Sequence, residues 1–161
     1  MKGKNIIFTI IRILLVIALL FAIFFFVFRT PAPSKKPFNE VAAAVIKSIN
    51  SDVMEENTPR FFKKYYHLTT NDYDGVLIYT PLTSMDAEEV LLIKLKDSSQ
   101  EKEVKKAIED RVEAKLAAFK GYAPEQYDLS KAYILDISGG YILYVVSPEA
   151  TKIDEAFKNA L

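Results

Sequence analysis

From Ile6 to Phe28 the chain reads IIFTIIRILLVIALLFAIFFFVF, and only Thr9 and Arg12 interrupt its apolar character. Wound as a helix at about 1.5 Å per residue, such a run covers roughly 34 Å, more than the ~30 Å hydrocarbon core of a bilayer. The sequence therefore predicts a transmembrane helix over 6–28, preceded by a short tail over 1–5. Secretory signal cores are shorter, about 7–15 residues, and end in small residues at a cleavage site. Here the run ends in FFFVFRTPAPS, with Phe, Arg29, Pro31 and Pro33 where small residues would be required. The expectation is an uncleaved anchor in the cell membrane, single-pass. Arg12 near one end can snorkel to the N-terminal interface. That places the N-terminus in the cytoplasm and the C-terminal domain outside it.

Charge sharpens the division. Residues 1–37 carry Lys2, Lys4, Arg12, Arg29, Lys35 and Lys36 and no acid. All 21 Asp and Glu therefore follow residue 37, against 15 of the 21 Lys and Arg, a net charge of −6 for the remainder. An acidic domain disfavours non-specific nucleic-acid binding and is repelled by anionic lipid. The absence of cysteine excludes disulfides, thiolate metal sites and cysteine catalysis.

Residues 29–37, RTPAPSKKP, predict an extended, solvated linker. Residues 38–161 have the length of one domain with a real core. Phe38, Val41, Ala42, Val45, Ile46 and Ile49 predict a helix over 39–50, and Thr58-Pro59 opens a second over 60–67. Strands are predicted at 75–79 and 90–96. A long helix over 99–120 follows, with Ser98 and Glu101 as its capping box and Gly121 as its stop. Strands at 132–137 and 141–146 flank Gly139-Gly140, a pair suited to a tight hairpin. A last helix starts at Ser147-Pro148-Glu149. The order α-α-β-β-α-β-β-α predicts an α+β domain, a two-layer sandwich of an antiparallel four-stranded sheet with helices mainly on one face.

Chemistry is sparse. His67 is the single histidine. TNDYDG at 70–75 lacks the first-position acid and twelfth-position Glu of a calcium loop, so it reads as a turn. Asp86, Glu88 and Glu89 read as a solvated turn before a strand. No P-loop, GxSxG, HExxH or GxGxxG pattern occurs. No metal site and no cofactor is expected, and an enzyme is the less favoured reading. Two stretches suit binding. In RFFKKYYHL, Phe61, Tyr65 and Tyr66 alternate with lysines and would suit a partner surface or, equally, one buried helix face. GYAPEQYDLS, at 121–130, reads as a long loop offering Tyr122, Pro124 and Gln126.

The fragments DYDGVLIY, AEEVLLIKLKD, GYAPEQYDL and GGYILYVVSPEATKIDEAFKNAL resemble the bacterial family known as domain of unknown function 4358. Its members are typically small envelope proteins with an N-terminal anchor or lipoprotein signal. The resemblance covers about 38–161 and brings no catalytic residues. Together these readings predict a non-enzymatic binding or interaction module at the bacterial cell envelope. Its partners would be the membrane, through Ile6–Phe28, and a protein or envelope component. A cell-envelope enzyme acting on wall material is the alternative.

Overall fold

A computed structural model describes residues 12–21 and 34–161. The chain divides into two compact units, residues 1–31 and 32–161. In the first, residues 12–21 form a helix (α1) with exposed side chains. Among the described residues no helix is long and apolar enough to cross a membrane, so the predicted spanning helix is not found. The rest of the 6–28 run, and residues 1–5, lie outside the described residues.

The second unit contains α2 (Phe38–Ile46), β1 (Met54–Glu56), α3 (Pro59–Tyr66), β2 (Gly75–Pro81), β3 (Glu89–Lys94), α4 (Glu101–Phe119), α5 (Pro124–Lys131), β4 (Ile134–Ser138), β5 (Tyr141–Val146) and α6 (Ala150–Ala160). The sheet has five strands in the order β1-β2-β3-β5-β4 rather than four, and every pairing is antiparallel. The added strand, β1, is three residues long and reads Met-Glu-Glu. Its length is too short for an alternating pattern to emerge, and its pairing with Tyr79–Pro81 creates it.

Helices cover both faces of the sheet, which corrects the two-layer expectation to three layers. Strand alternation explains how. On β3 and β5, Leu91, Ile93, Ile142, Tyr144 and Val146 join Phe62 and Tyr66 of α3 and Val104, Ile108 and Phe119 of α4. The alternate residues Val90, Leu92, Tyr141, Leu143 and Val145 join Val41 and Val45 of α2 and Ile153 and Phe157 of α6. Both faces being covered, β5 is buried along its whole length.

The turn between β4 and β5 has Gly139 and Gly140 at φ 60° and 79°, the positive values a two-residue hairpin requires. Residues 34–37 are not a free spacer. The Ser34 N–H donates to the Gly139 carbonyl at 2.7 Å, and its hydroxyl donates to the Leu161 carbonyl. Lys94 Nζ and the Tyr141 hydroxyl both donate to the Lys36 carbonyl. A Cβ added at Gly139 would lie 2.9 Å from the Ser34 Cβ, so the strap and the hairpin fit only with glycine there.

Helix starts differ in detail. The box that opens α4 is Asp97 with Gln100, around a 3-10 turn at Ser98–Gln100, one residue ahead of the predicted Ser98–Glu101 pair. Residues 124–131 form a helix rather than a loop. Pro124 sits in its first turn, where a missing N–H costs nothing.

Candidate functional site

Glu89 continues the row of β3 side chains that faces α4, two residues before Leu91. It is fully buried, contrary to its reading as part of a solvated turn. What it meets is α4. The stripe that α4 turns inward runs Val104, Ile108, Val112, Lys115, Phe119, so Lys115 occupies a position where an apolar residue belongs. Arg111 lies four residues before Lys115 and shares that side of the helix.

The three charges interlock. Arg111 Nη2 donates to Glu89 Oε2 at 2.7 Å, and Arg111 Nε donates to both carboxylate oxygens at 3.1 and 3.2 Å. Lys115 Nζ lies 2.8 Å from Oε2 and also donates to the Ala87 carbonyl. The Tyr66 hydroxyl, from α3, donates to Oε1. An isolated charge at this depth would cost several kcal/mol; here every charged group has a partner.

The electrostatics follow from burial set against pairing. Burial pushes the Glu89 carboxyl upward, but the Lys115 ammonium and the Arg111 guanidinium outweigh it and hold it below the usual carboxylate range. Burial pushes Lys115 down, Arg111 repels it, and Glu89 only partly restores it, so its pKa is lowered. Burial opposes the Arg111 charge too, yet its hydrogen bonds to Glu89 raise it. Burial and the Glu89 charge drive the Tyr66 hydroxyl far above its ordinary value. The cluster is thus a fixed carboxylate, a fixed guanidinium and an ammonium under strain. Two cations face one anion. Close by, the Tyr144 hydroxyl is buried with no hydrogen-bond partner among the described residues.

Above the cluster lies a cleft of about 360 Å³ between α3, α4 and the β2–β3 connection. Phe61 and Tyr65 form one wall, with ring centroids 4.4 Å apart. The Arg111 guanidinium carbon sits 4.6 Å from the Tyr65 centroid and 5.6 Å from that of Phe61, a cation-π arrangement. Leu82, Thr83, Ser84 and Asp86 form the opposite rim, and Glu89, Arg111 and Lys115 lie at the base.

The binding candidates read from the sequence fall into three groups. Phe61 is partly buried and Tyr65 is 37% exposed, and both line the cleft. Tyr66 is buried and faces Glu89 instead of solvent. Tyr122 lies in the turn between α4 and α5, and Pro124 and Gln126 lie in the first turn of α5. The Tyr122 hydroxyl meets the Met85 sulfur at 3.2 Å, and the Gln126 side-chain Oε1 accepts the Ala87 N–H at 2.8 Å. Gln126 therefore holds the backbone that Lys115 holds from below. Pro124 lines a separate shallow depression with Lys120 and Tyr127. His67, left-handed at φ 58°, closes α3 and lines a different groove.

Sequence reasoning missed Glu89, Arg111 and Lys115. Lys115 left a trace, as a cation within an apolar stripe. Among the described residues no group of three His, Cys, Asp or Glu side chains gathers as a metal site.

The family described as Domain of unknown function (DUF4358) matches residues 47–147. The matched span contains all five strands, α3, α4, α5 and the whole charged cluster. No curated protein and no solved structure matches the chain. The chain belongs to the DUF4358 family.

Proposed function

We propose that this member of a family without assigned activity is a non-enzymatic binding module, and that the cleft over Arg111 is its ligand-facing surface. One observation carries the reading: a guanidinium stacked on two aromatic rings and locked by a buried carboxylate, facing an open cleft. Such a side chain has lost its rotamer freedom before any ligand arrives, which is the preorganisation that recognition rewards. Catalysis is less well served. Glu89 is held ionised with both oxygens engaged, so near neutral pH it neither gives nor accepts a proton.

For location we propose the cell envelope, on the hydropathy of residues 6–28. Fractionation of the full chain tests it; recovery wholly in the soluble fraction would contradict it.

The binding role is tested by a photo-crosslinking residue placed at Tyr65 in the full chain in cells, with Glu155, exposed on α6, as control. Defined adducts are expected from position 65 and not from 155. They should vanish in Arg111→Lys, which keeps a cation beside Glu89 but loses the planar stacked fork. Equal adducts from both positions, or adducts indifferent to Arg111→Lys, would sink the reading.

A further inference from the structure

Resting on the cleft as a binding surface, we infer that it receives the free C-terminal carboxylate of a peptide, with Arg111 holding the carboxylate and the apolar rim holding the last side chain. Donor arithmetic comes first. A guanidinium carries five N–H groups. Arg111 directs Nε–H and one Nη2–H at Glu89. Two on Nη1 and one on Nη2 have no acceptor among the described residues. The side chain is 16% exposed and lines the cleft, so these donors are the ones left for a ligand there. A fork of this kind fits a planar carboxylate with two parallel hydrogen bonds.

Charge agrees. Glu89 is opposed by both Arg111 and Lys115, which leaves one positive charge in surplus at the base of the cleft. A single carboxylate neutralises that surplus. Asp86 and Glu55 also line the cleft, and Asp86 accepts a hydrogen bond from the Thr83 hydroxyl. Those two acids, set nearer the rim, oppose a phosphate dianion or a polyanion more strongly than a single carboxylate held at Arg111.

The rim supplies the second half of the recognition. The large hydrophobic side chains exposed on the described domain are Ile46, Val53, Tyr65, Leu82, Met85 and Tyr122. Tyr65 and Leu82 line the cleft itself. Met85 and Tyr122 touch each other beside it, and Tyr122 stacks on Phe119, another lining residue, at 6.5 Å. Exposed hydrophobics gathered around a polar base mark a contact site, whereas single scattered ones need no explanation. Thioether and aromatic groups adapt to varied side chains. Glu89 and Lys115, 1% and 6% exposed, close the base. A ligand therefore reaches Arg111 from the open side of the cleft. At about 360 Å³ the space lies near the small end of ligand pockets, roughly 300–1,000 Å³, enough for a chain terminus.

The test is an NMR titration of the full chain, reading backbone amides and the Arg111 Nε–H, with N-acetylphenylalanine and separately with its C-terminal amide. The acid should shift Arg111, Tyr65 and Leu82 saturably and bind about tenfold more tightly than the amide, the cost of losing one charge-assisted contact. Tyr65→Ala, at an exposed position outside the core, should weaken the acid several-fold. Equal binding of acid and amide at the cleft would overturn the carboxylate assignment while leaving the cleft a binding surface. No shift at Arg111 with either compound would overturn the inference outright. The position-65 crosslinks decide the underlying binding role independently.

Discussion

The two faces of the sheet are built to different standards. Against α2 and α6, the sheet presents Val90, Leu92, Leu143 and Val145, and the helices answer with Val41, Val45, Ile153 and Phe157; the ion pairs on this side, Asp136 and Asp154 with Lys158, run out to a half-exposed lysine, with Asp154 Oδ1 buried and without a partner among the described residues. Each fully buried apolar side chain contributes about 1.5–3 kcal/mol. Against α3 and α4, the same strands present Leu91, Ile93 and Ile142, but also Glu89 and the Tyr144 hydroxyl, which has no partner among the described residues. A buried ion cluster is often no better for stability than apolar residues of the same volume. A face that tolerates such a cluster, beneath an open cleft, is shaped by something other than stability. The contrast teaches where to look for function when the family supplies none.

The contrast breaks most sharply under single deletions. Glu89→Gln leaves two buried cations without their anion and should lower unfolding free energy by about 3–5 kcal/mol. Phe157→Ala, on the other face, opens a cavity beside Tyr141 and should cost a similar ~3–5 kcal/mol. Urea denaturation checks both. The difference emerges on acidification. Glu89 has a depressed folded pKa, so its stabilisation is fully present above its ordinary value of 4.5 and is lost as pH falls below that through the folded value. The Phe157→Ala variant should keep that acid sensitivity, and Glu89→Gln should show less of it. Smaller is Tyr66→Phe, which removes one donor to Glu89 and should cost about 1.5–3 kcal/mol, the range for a hydrogen bond to a charged group. Smallest is Tyr144→Phe. Its hydroxyl is buried without a partner among the described residues, so removal should be neutral or stabilising by about 1 kcal/mol. A loss of 2 kcal/mol or more would mean that the hydroxyl has a partner and that this face is better satisfied than described.

The sequence revealed the fold through its periodic segments. Phe38 to Ile49, Val104 to Phe119 and Ile153 to Leu161 show helical spacing, and Gly139-Gly140 announces its hairpin. What escaped had local causes. Met54–Glu56 is a strand only because Tyr79–Pro81 lies beside it. Residues 124–131 look like a loop because of their polarity, although a first-turn proline is compatible with a helix. The count of layers needs both faces of β5 to be buried, and a continuous apolar run such as YILYVV does not say what covers it. The site was half visible. Phe61 and Tyr65 stood out as an aromatic pair among lysines, and both line the cleft. Glu89 was hidden by its neighbours Asp86 and Glu88, which make the stretch look solvated. Its partners lie 22 and 26 residues away on α4, a juxtaposition only the tertiary fold creates.

One face of the sheet stabilises, and the other, on the binding role proposed above, gives up stability for recognition. The most direct test of this division is urea denaturation of the quadruple variant Tyr66→Phe, Glu89→Leu, Arg111→Met, Lys115→Met, in which the hydroxyl that donates to Glu89 goes with its acceptor. The account predicts an unfolding free energy equal to the parent's or higher, by up to about 4 kcal/mol. A loss of several kcal/mol would show that the charged cluster is a stability element and would contradict the division between the two faces.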